Sequence, residues 1–275
     1  ETGALKDIGA DQLVPPNDGL YAVSWVKGHL IDDEEPNWDG ISAMPLEPSI
    51  LTKLCLTYRR HLQLNRVIDF DDCIYLMVRA LERNEEFRES CRNRFHYLMV
   101  DEFQDTNASQ LKVIELLAGS RQNACVVGDD DQSIYSWRGA DHTIVQKFED
   151  TFAGTKLVKL EQNYRCPQIV LDAANAVIQK NSVRKKKKLW SDKAEDQKID
   201  LRRHNDDEAE RGWVAERCMS LLGKGEKPSS IAILYRANAL STGLEMSLRE
   251  AGIPYRTFGG QSFFDRREVR DFCAY

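Results

Sequence analysis

The spacing of apolar positions changes along the chain, and each change predicts an element. From Glu47 to Arg66 the apolar residues Ile50, Leu51, Leu54, Leu56, Tyr58, Leu62 and Leu64 recur at helical spacing, so one helix is expected there. Asp69 stands where it can cap a second helix reaching Leu81, with Asp71 and Asp72 in the first turn, where the helix dipole favours carboxylates. Beyond it, short apolar runs alternate with helical stretches. Tyr97–Val100, Ala124–Val127 and Lys156–Leu160 read as buried parallel strands, whereas Ala108–Leu117 (closed by Gly119), Thr143–Phe152 and a stretch from Pro167 to Lys180 read as helices. Lys198–Arg202, Asp207–Leu222, Ile231–Tyr235, Leu240–Ala251 and Arg266–Tyr275 continue as strand, helix, strand, helix and helix. Such alternation predicts parallel α/β sheets. Residues 1–66 lack it. Their acidic stretch Asp32–Asn37, broken by Pro36, reads as a loop, and the region is assigned to a helical accessory part.

Composition narrows the class without naming a chemistry. The 275 residues suffice for two modest domains, and 42% hydrophobic with 30% charged residues describes an ordinary soluble protein. No apolar run approaches the ~20 residues that cross a bilayer, so no membrane span is expected. The start, Glu-Thr-Gly-Ala, lacks a basic and then apolar segment, which argues against a secretory leader, and it lacks a Met, which suggests an excised piece. The seven cysteines are scattered and form no CxxC pair, as expected of reduced cytosolic thiols and not of a zinc site. A net charge of −6 decides little, because a protein that binds nucleic acid can line one groove with Lys and Arg while the rest stays acidic.

Three clusters carry chemistry, each following an inferred strand. In the first, Asp101 and Glu102 end an apolar run, and Gln104 and Asp105 add two further polar groups at the same strand end. An Asp in the crevice at the carboxyl edge of an α/β sheet can hold Mg²⁺, and a neighbouring Glu can orient or deprotonate a water. The second runs from Gly128 through Asp129-Asp130-Asp131-Gln132 to Tyr135, Trp137 and Arg138. Three successive Asp repel one another unless a cation or a helix N-terminus relieves them. Gln132 can reach a phosphate or a water, and Tyr135 and Trp137, one residue apart, suit stacking on unpaired bases beside Arg138. The third is Leu160-Glu161-Gln162-Asn163-Tyr164-Arg165, where Tyr164 can stack on a base and Arg165 can stabilise a transferring phosphoryl group. The basic run Arg184–Lys188, followed by Leu189-Trp190, reads either as a solvated loop or as a contact for a phosphate backbone.

From Val67 onward the chain resembles the superfamily 1A DNA helicases of the Rep/UvrD/PcrA type, with wording closest to the Rep branch. The matching strings are IDFDD (68–72), VDEFQDTNASQ (100–110), VVGDDDQSIYSWRGAD (126–141), LEQNYR (160–165), ILYRANALS (233–241) and IPYRTFGGQSFFDRREVRDFCAY (253–275). The resemblance implies an α/β fold made of parts of two RecA-like P-loop NTPase motor domains, parallel sheets flanked by helices. Residues 67–159 would be the Walker B part of the first motor, 160–275 the first part of the second, and 1–66 an insertion. It implies ATP and Mg²⁺ as cofactors, with Asp101 on the metal, Glu102 on the water, Gln132 sensing the γ-phosphate, Tyr164 on adenine and Arg165 on the γ-phosphate. Tyr135, Trp137, Arg138, Arg236 and Asn238 would contact DNA, and the motor would move 3′ to 5′ on single-stranded DNA and open forked duplex. Replication or repair proteins are further expected partners, in a bacterial, nucleoid-associated cytoplasmic setting without a membrane.

One requirement of such a motor is missing. No GxxxxGK[ST] string, which would cradle the β- and γ-phosphates, occurs in the 275 residues. The chain is therefore expected to be a middle segment, inactive alone. Two other readings stay open: a non-catalytic DNA-binding or partner-binding module that kept the fold, and the motor part of a helicase–nuclease.

Overall fold

Three helices come first: α1 (Thr2–Asp7), α2 (Pro16–Gly28) and α3 (Pro48–Asn65). Proline begins both α2 and α3, where its fixed φ suits the first turn and its missing N–H has no helical partner to lose. Their apolar faces close on one another: Leu5 from α1, Ala22, Val23 and Val26 from α2, and Leu51 and Leu54 from α3 are all buried. Periodicity predicts α3 to within a residue at each end, while α1 and α2 are additional to the reading of residues 1–66. The computed structural model describes residues 2–9, 14–32, 36–38, 44–134, 143–181, 185–193 and 198–258.

The next helix, α4 (Phe70–Arg83), begins as the sequence predicts. Asp69 accepts the Asp72 N–H at 2.7 Å, and the Asp72 carboxylate accepts the Asp69 N–H at 3.2 Å. This capping box satisfies two helix-end donors. Lys27 of α2 reaches 2.7 Å from both Asp69 and Asp72, tying the cap to the accessory helices. A further helix, α5 (Glu85–Arg94), went unpredicted because none of its residues is buried and it has no apolar stripe to read.

Then come β1 (Leu98–Val100), α6 (Ala108–Ala118), β2 (Ala124–Val126), α7 (Ile144–Thr151) and α8 (Gln168–Ile178). The two strands pair in parallel, with Leu98 opposite Ala124, Met99 opposite Cys125 and Val100 opposite Val126. Period-2 alternation turns Leu98, Val100, Ala124 and Val126 onto a core of Phe103, Leu111, Ile114, Ile144 and Phe148. The same alternation leaves Met99 79% exposed on the other face, so the expectation of a fully buried strand holds for one face only.

The chain divides into two compact units, Glu1–Glu195 and Asp196–Tyr275. In the second, α9 (Asp207–Gly223) and α10 (Ser241–Glu250) pack around Cys218, Leu248 and Ile253. Three expected strands need correction. Among the described residues, Lys156–Leu160, Lys198–Arg202 and Ile231–Tyr235 form no ladder, and Leu160, Leu201 and Leu234 are exposed. An apolar run becomes a strand only when a neighbour accepts and donates its backbone bonds. Near the first of these runs that pairing falls one step later, at a bridge between Gln162 and Trp190. The helix expected at Arg266–Tyr275 lies outside the described residues.

Candidate active site

β1 ends at Val100, so Asp101 and Glu102 stand at the carboxyl edge of the parallel pair, both exposed. The Asp101 carboxylate accepts the Glu102 N–H at 2.9 Å through Oδ1. Glu102 adopts φ 50°, ψ 42°, the left-handed region, which costs a non-glycine residue about 1 kcal/mol or more. This kink turns the chain into a short 3₁₀ turn, Phe103–Asp105. Phe103 enters the core, and its N–H donates to the Val127 carbonyl at 2.9 Å.

Gln104, only 3% exposed, uses both ends of its amide. Its Nε2 donates to Glu102 Oε2 at 2.7 Å, and its Oε1 accepts the Asp129 N–H at 2.9 Å. Gly128 makes this approach possible, since a Cβ there would fall 2.8 Å from Gln104 Oε1 and 3.2 Å from the Phe103 and Gln104 nitrogens. Asp129 continues the chain: its Oδ2 accepts from Gln132 Nε2 at 2.8 Å. Glu102, Gln104, Asp129 and Gln132 are thus one hydrogen-bonded line joining the ends of β1 and β2. Asp101 Oδ2 and Glu102 Oε1 have no hydrogen-bond partner among the described residues, and neither does the buried Oδ1 of Asp105.

The cation that three successive acids require is Lys187. The carboxylates of Asp129, Asp130 and Asp131 offer oxygens within 4.8 Å of one another, a set that would also suit a metal ion. The Lys187 ammonium lies 2.6 Å from Asp129 and 3.1 Å from Asp131, and it also pairs with Asp130. Burial, the largest single influence, opposes the charge on Asp129 and Asp130, yet the hydrogen bonds from Lys187, Gln132 and backbone N–H groups, with the attraction of the Lys187 charge, together hold both carboxyls below the usual range. Burial likewise opposes the charge on Lys187, and its bonds to the three acids raise its pKa above the ordinary lysine value. Lys185 donates its N–H to Asp130 at 2.6 Å and its ammonium to Glu149 at 2.7 Å. Two lysines of the basic run are therefore held by carboxylates, while Lys186 and Lys188 are exposed and Arg184 lies outside the described residues.

The same segment grips the third cluster. The Lys188 N–H donates to the Glu161 carboxylate at 2.8 Å, the Trp190 N–H to the Glu161 carbonyl at 3.0 Å, and the Asn163 N–H to the Trp190 carbonyl at 2.7 Å. Asn163 then turns the chain by accepting the N–H groups of Arg165 (2.9 Å) and Cys166 (2.7 Å). The turn presents Tyr164, which is 73% exposed and donates its hydroxyl to Gln162 at 2.8 Å. The Arg165 guanidinium is exposed and has no hydrogen bond among the described residues.

Asp101 and Glu102 are thus linked to Gln132 through Gln104 and Asp129, and Tyr164 and Arg165 are joined to them through residues 185–190. In the second unit, Arg236 and Asn238 are exposed, and the Asn238 carbonyl accepts the Ser241 hydroxyl at 2.8 Å where α10 begins. Tyr135, Trp137 and Arg138 lie outside the described residues. Sequence reasoning flagged Gln104 as a polar group at a strand end but gave it no partner. Lys187 belongs to a run whose pattern suits a solvated loop or a phosphate-backbone contact, and nothing in that run connects it to the acids it neutralises.

Comparison with known proteins agrees with the motifs. The UvrD/REP helicase N-terminal domain matches residues 29–153, and the UvrD-like helicase C-terminal domain matches residues 158–275. The ATP-dependent DNA helicase PcrA of Staphylococcus epidermidis is 44% identical over 280 residues, covering 100% of this chain and 38% of that protein. PcrA of Bacillus subtilis is 39% identical over 275 residues (99% and 37%), and PcrA of Staphylococcus aureus is 42% identical over 218 residues (79% and 30%). The chain therefore spans no more than 38% of the length of these relatives. Among the described residues, no helix is long and apolar enough to cross a membrane. With two domain matches of one kind joined end to end, and these identities along its length, the chain belongs to the UvrD/REP helicase family.

Proposed function

We propose that this chain is the central part of an ATP-dependent DNA helicase that moves 3′ to 5′ on single-stranded DNA and opens forked duplex during replication or repair in the bacterial cytoplasm. The observation that carries the reading is the line Glu102–Gln104–Asp129–Gln132 at the carboxyl edge of β1 and β2. In α/β sheets that edge is where ligands sit. Hard oxygen donors such as Asp101 Oδ2 fit Mg²⁺, which when bound would neutralise charge between the β- and γ-phosphates of ATP. Gln104 occupies Glu102 Oε2, leaving Oε1 to take a proton from the attacking water. Gln132, held by Asp129, would meet the γ-phosphate, with Arg165 on the same group and Tyr164 on adenine. Tyr135, Trp137, Arg138, Arg236 and Asn238 would hold the DNA strand. Residues 67–159 would supply the Walker B half of the first motor and residues 160–275 the start of the second, with residues 160–195 packed within the first compact unit.

A second reading, a non-catalytic DNA-binding module, draws on one observation: the sequence contains no GxxxxGK[ST] string. Two measurements test the assignments, and the first separates the readings. In the full-length protein, Glu102→Gln should abolish ATP hydrolysis while nucleotide and DNA binding persist; unaltered hydrolysis would remove Glu102 from the chemistry, and no hydrolysis even before substitution would favour the second reading. In the isolated chain, which should not hydrolyse ATP, Trp137→Ala should weaken binding of a labelled oligothymidylate about tenfold, the usual scale of one lost stacking contact. Unchanged affinity would take Trp137 out of the site.

A further inference from the structure

The hydrolysis site proposed above is held from outside its own motifs. Asp129 is the junction: it orients Gln132 with one carboxylate oxygen and Gln104, hence Glu102, with its N–H. Its other carboxylate oxygen accepts the Asp131 N–H at 3.0 Å and faces the Lys187 ammonium at 2.6 Å. Lys187 is well enclosed, at 16% side-chain exposure, and the structure brings no other ammonium or guanidinium to the Asp129 carboxylate among the described residues. It lies on an extended stretch whose residues alternate in direction. Lys187 turns its ammonium to the acids following β2 and Lys185 turns its own to Glu149 while its N–H meets Asp130, whereas Lys188 and Trp190 bond through their backbones to Glu161 and Asn163, next to Tyr164 and Arg165. One short segment, residues 185–190, therefore touches both halves of the arrangement.

We propose that Lys187 is a positioning residue for ATP hydrolysis: by fixing the Asp129 carboxylate it sets the orientation of Gln132 and of the Gln104–Glu102 pair, and it couples them to the Tyr164–Arg165 turn. The inference rests on the function proposed above. Without the ammonium, the Asp129, Asp130 and Asp131 carboxylates repel, only the Asp131 N–H is left on that oxygen of Asp129 to resist the repulsion, and the acceptor that Gln132 uses shifts. The turn that carries Tyr164 and Arg165 is held by the backbones of Lys188 and Trp190, which a side-chain change at Lys187 leaves in place, so the loss falls chiefly on the rate of hydrolysis. A misplacement of about 1 Å at a catalytic group can cost on the order of 100-fold in rate.

The test is made in the full-length protein with Lys187→Met, Lys187→Arg and Lys185→Met. Lys187→Met should lower kcat for ATP hydrolysis by about 10- to 100-fold with KM altered less than about threefold, a split that identifies loss of transition-state positioning. Lys187→Arg, which retains the charge, should recover most of the rate. Lys185→Met, on the same segment but bonded to Glu149, should leave kcat within about twofold, because its ammonium touches no member of the line. If Lys187→Met fails to fold, the triple variant Lys187→Met with Asp130→Asn and Asp131→Asn relieves the repulsion while leaving Asp129 unclamped, and the same fall in kcat is expected. Wild-type kcat in a folded Lys187→Met or triple variant overturns the proposal, as does an equal fall in Lys185→Met. If Glu102→Gln also hydrolyses ATP normally, the functional reading fails; if Glu102→Gln is dead while Lys187→Met is normal, only the present proposal does.

Discussion

Replacing Gln104 tests the line at its most buried member. Gln104→Ala removes the amide and one methylene from a position 3% exposed. The lost methylene contributes about 0.8 kcal/mol. Glu102 is exposed and regains water, so its bond is worth about 1 kcal/mol. The Asp129 N–H, half-buried, is left without its acceptor at a cost of about 1–2 kcal/mol. The sum is about 3 kcal/mol, which corresponds to roughly a 100-fold loss of protection at about 1.4 kcal/mol per tenfold. The assay is native-state hydrogen exchange at the Phe103 and Val127 amides, which bond across the β1–β2 edge to Val127 and Val100. Both report opening of this edge without requiring the two units to unfold together. Gln104→Glu keeps the shape and the acceptor for Asp129 but sets a second carboxylate against Glu102, where the amide now stands at 2.7 Å. Two carboxylates at that distance share a proton, so this variant should gain stability as pH falls from about 8 to about 5. A protection loss below about fivefold in Gln104→Ala, together with a flat pH response in Gln104→Glu, would refute the claim that Gln104 braces Glu102 against Asp129.

Other positions give equally direct outcomes. Asp69→Ala should destabilise the first unit by about 2 kcal/mol through loss of the α4 cap and of the Lys27 pair, while Asp69→Asn, an equally good cap, should cost about half of that; equal losses in urea unfolding would mean that the charge contributes nothing. Gly119, at φ 52° and ψ −142°, has Arg92 side-chain atoms 2.7 Å from the site of a Cβ, so Gly119→Ala should cost about 2 kcal/mol, and a neutral result would contradict the backbone assignment. Asp129 and Asp130 have depressed pKa values and Lys187 a raised one. The clamp therefore stabilises fully between about pH 4 and about pH 10. Its contribution is lost on the acid side as pH falls through the depressed carboxyl values, and on the basic side as pH rises through the raised lysine value. In Lys187→Met the three acids repel, so acidification from about pH 7 to about pH 4 should stabilise that variant instead of weakening it. Identical acid limbs in urea titrations of the two proteins would show that Lys187 does not compensate the triplet.

The parts of the fold that the sequence made legible are those with a local cause. The helix α3 follows from its apolar period, α4 from Asp69 and the acids of its first turn, and β1 and β2 from short apolar runs ending in Asp101 and Gly128. Each signal is complete within a few residues. The failures share a different cause. Leu160, Leu201 and Leu234 sit in runs that read as strands by their apolar positions, but a strand is defined by what lies beside it, and a run carries no record of its neighbour. The helix α5 is the converse, a helix held by Asn84 and charged pairs with nothing buried to give it a period.

The site divides along the same lines. Of the residues that would touch ligands, Asp101, Glu102 and Gln132 could be named because they follow strand ends, and strand ends in such sheets open onto one edge, whereas Tyr164 and Arg165 follow a run that forms no strand and were legible only from the string LEQNYR. The sequence also required something near Asp129, Asp130 and Asp131 to relieve their repulsion, a cation or a helix N-terminus, and the structure supplies a cation. The sequence could not supply the identity of that cation, because Lys187 acts 57 positions from Asp130 and is one of four successive lysines that look alike as letters. What separates Lys187 from Lys186 and Lys188 is side-chain direction on an extended segment, half-buried on one face and exposed on the other. Had the run formed a helix, residues 185 and 187 would not share a face, and one lysine could not have met three acids while its neighbour once removed held Glu149. The extended form of residues 185–190, set by the backbone bonds at Glu161 and Asn163, is therefore what turns an ambiguous basic run into a specific clamp on Asp129.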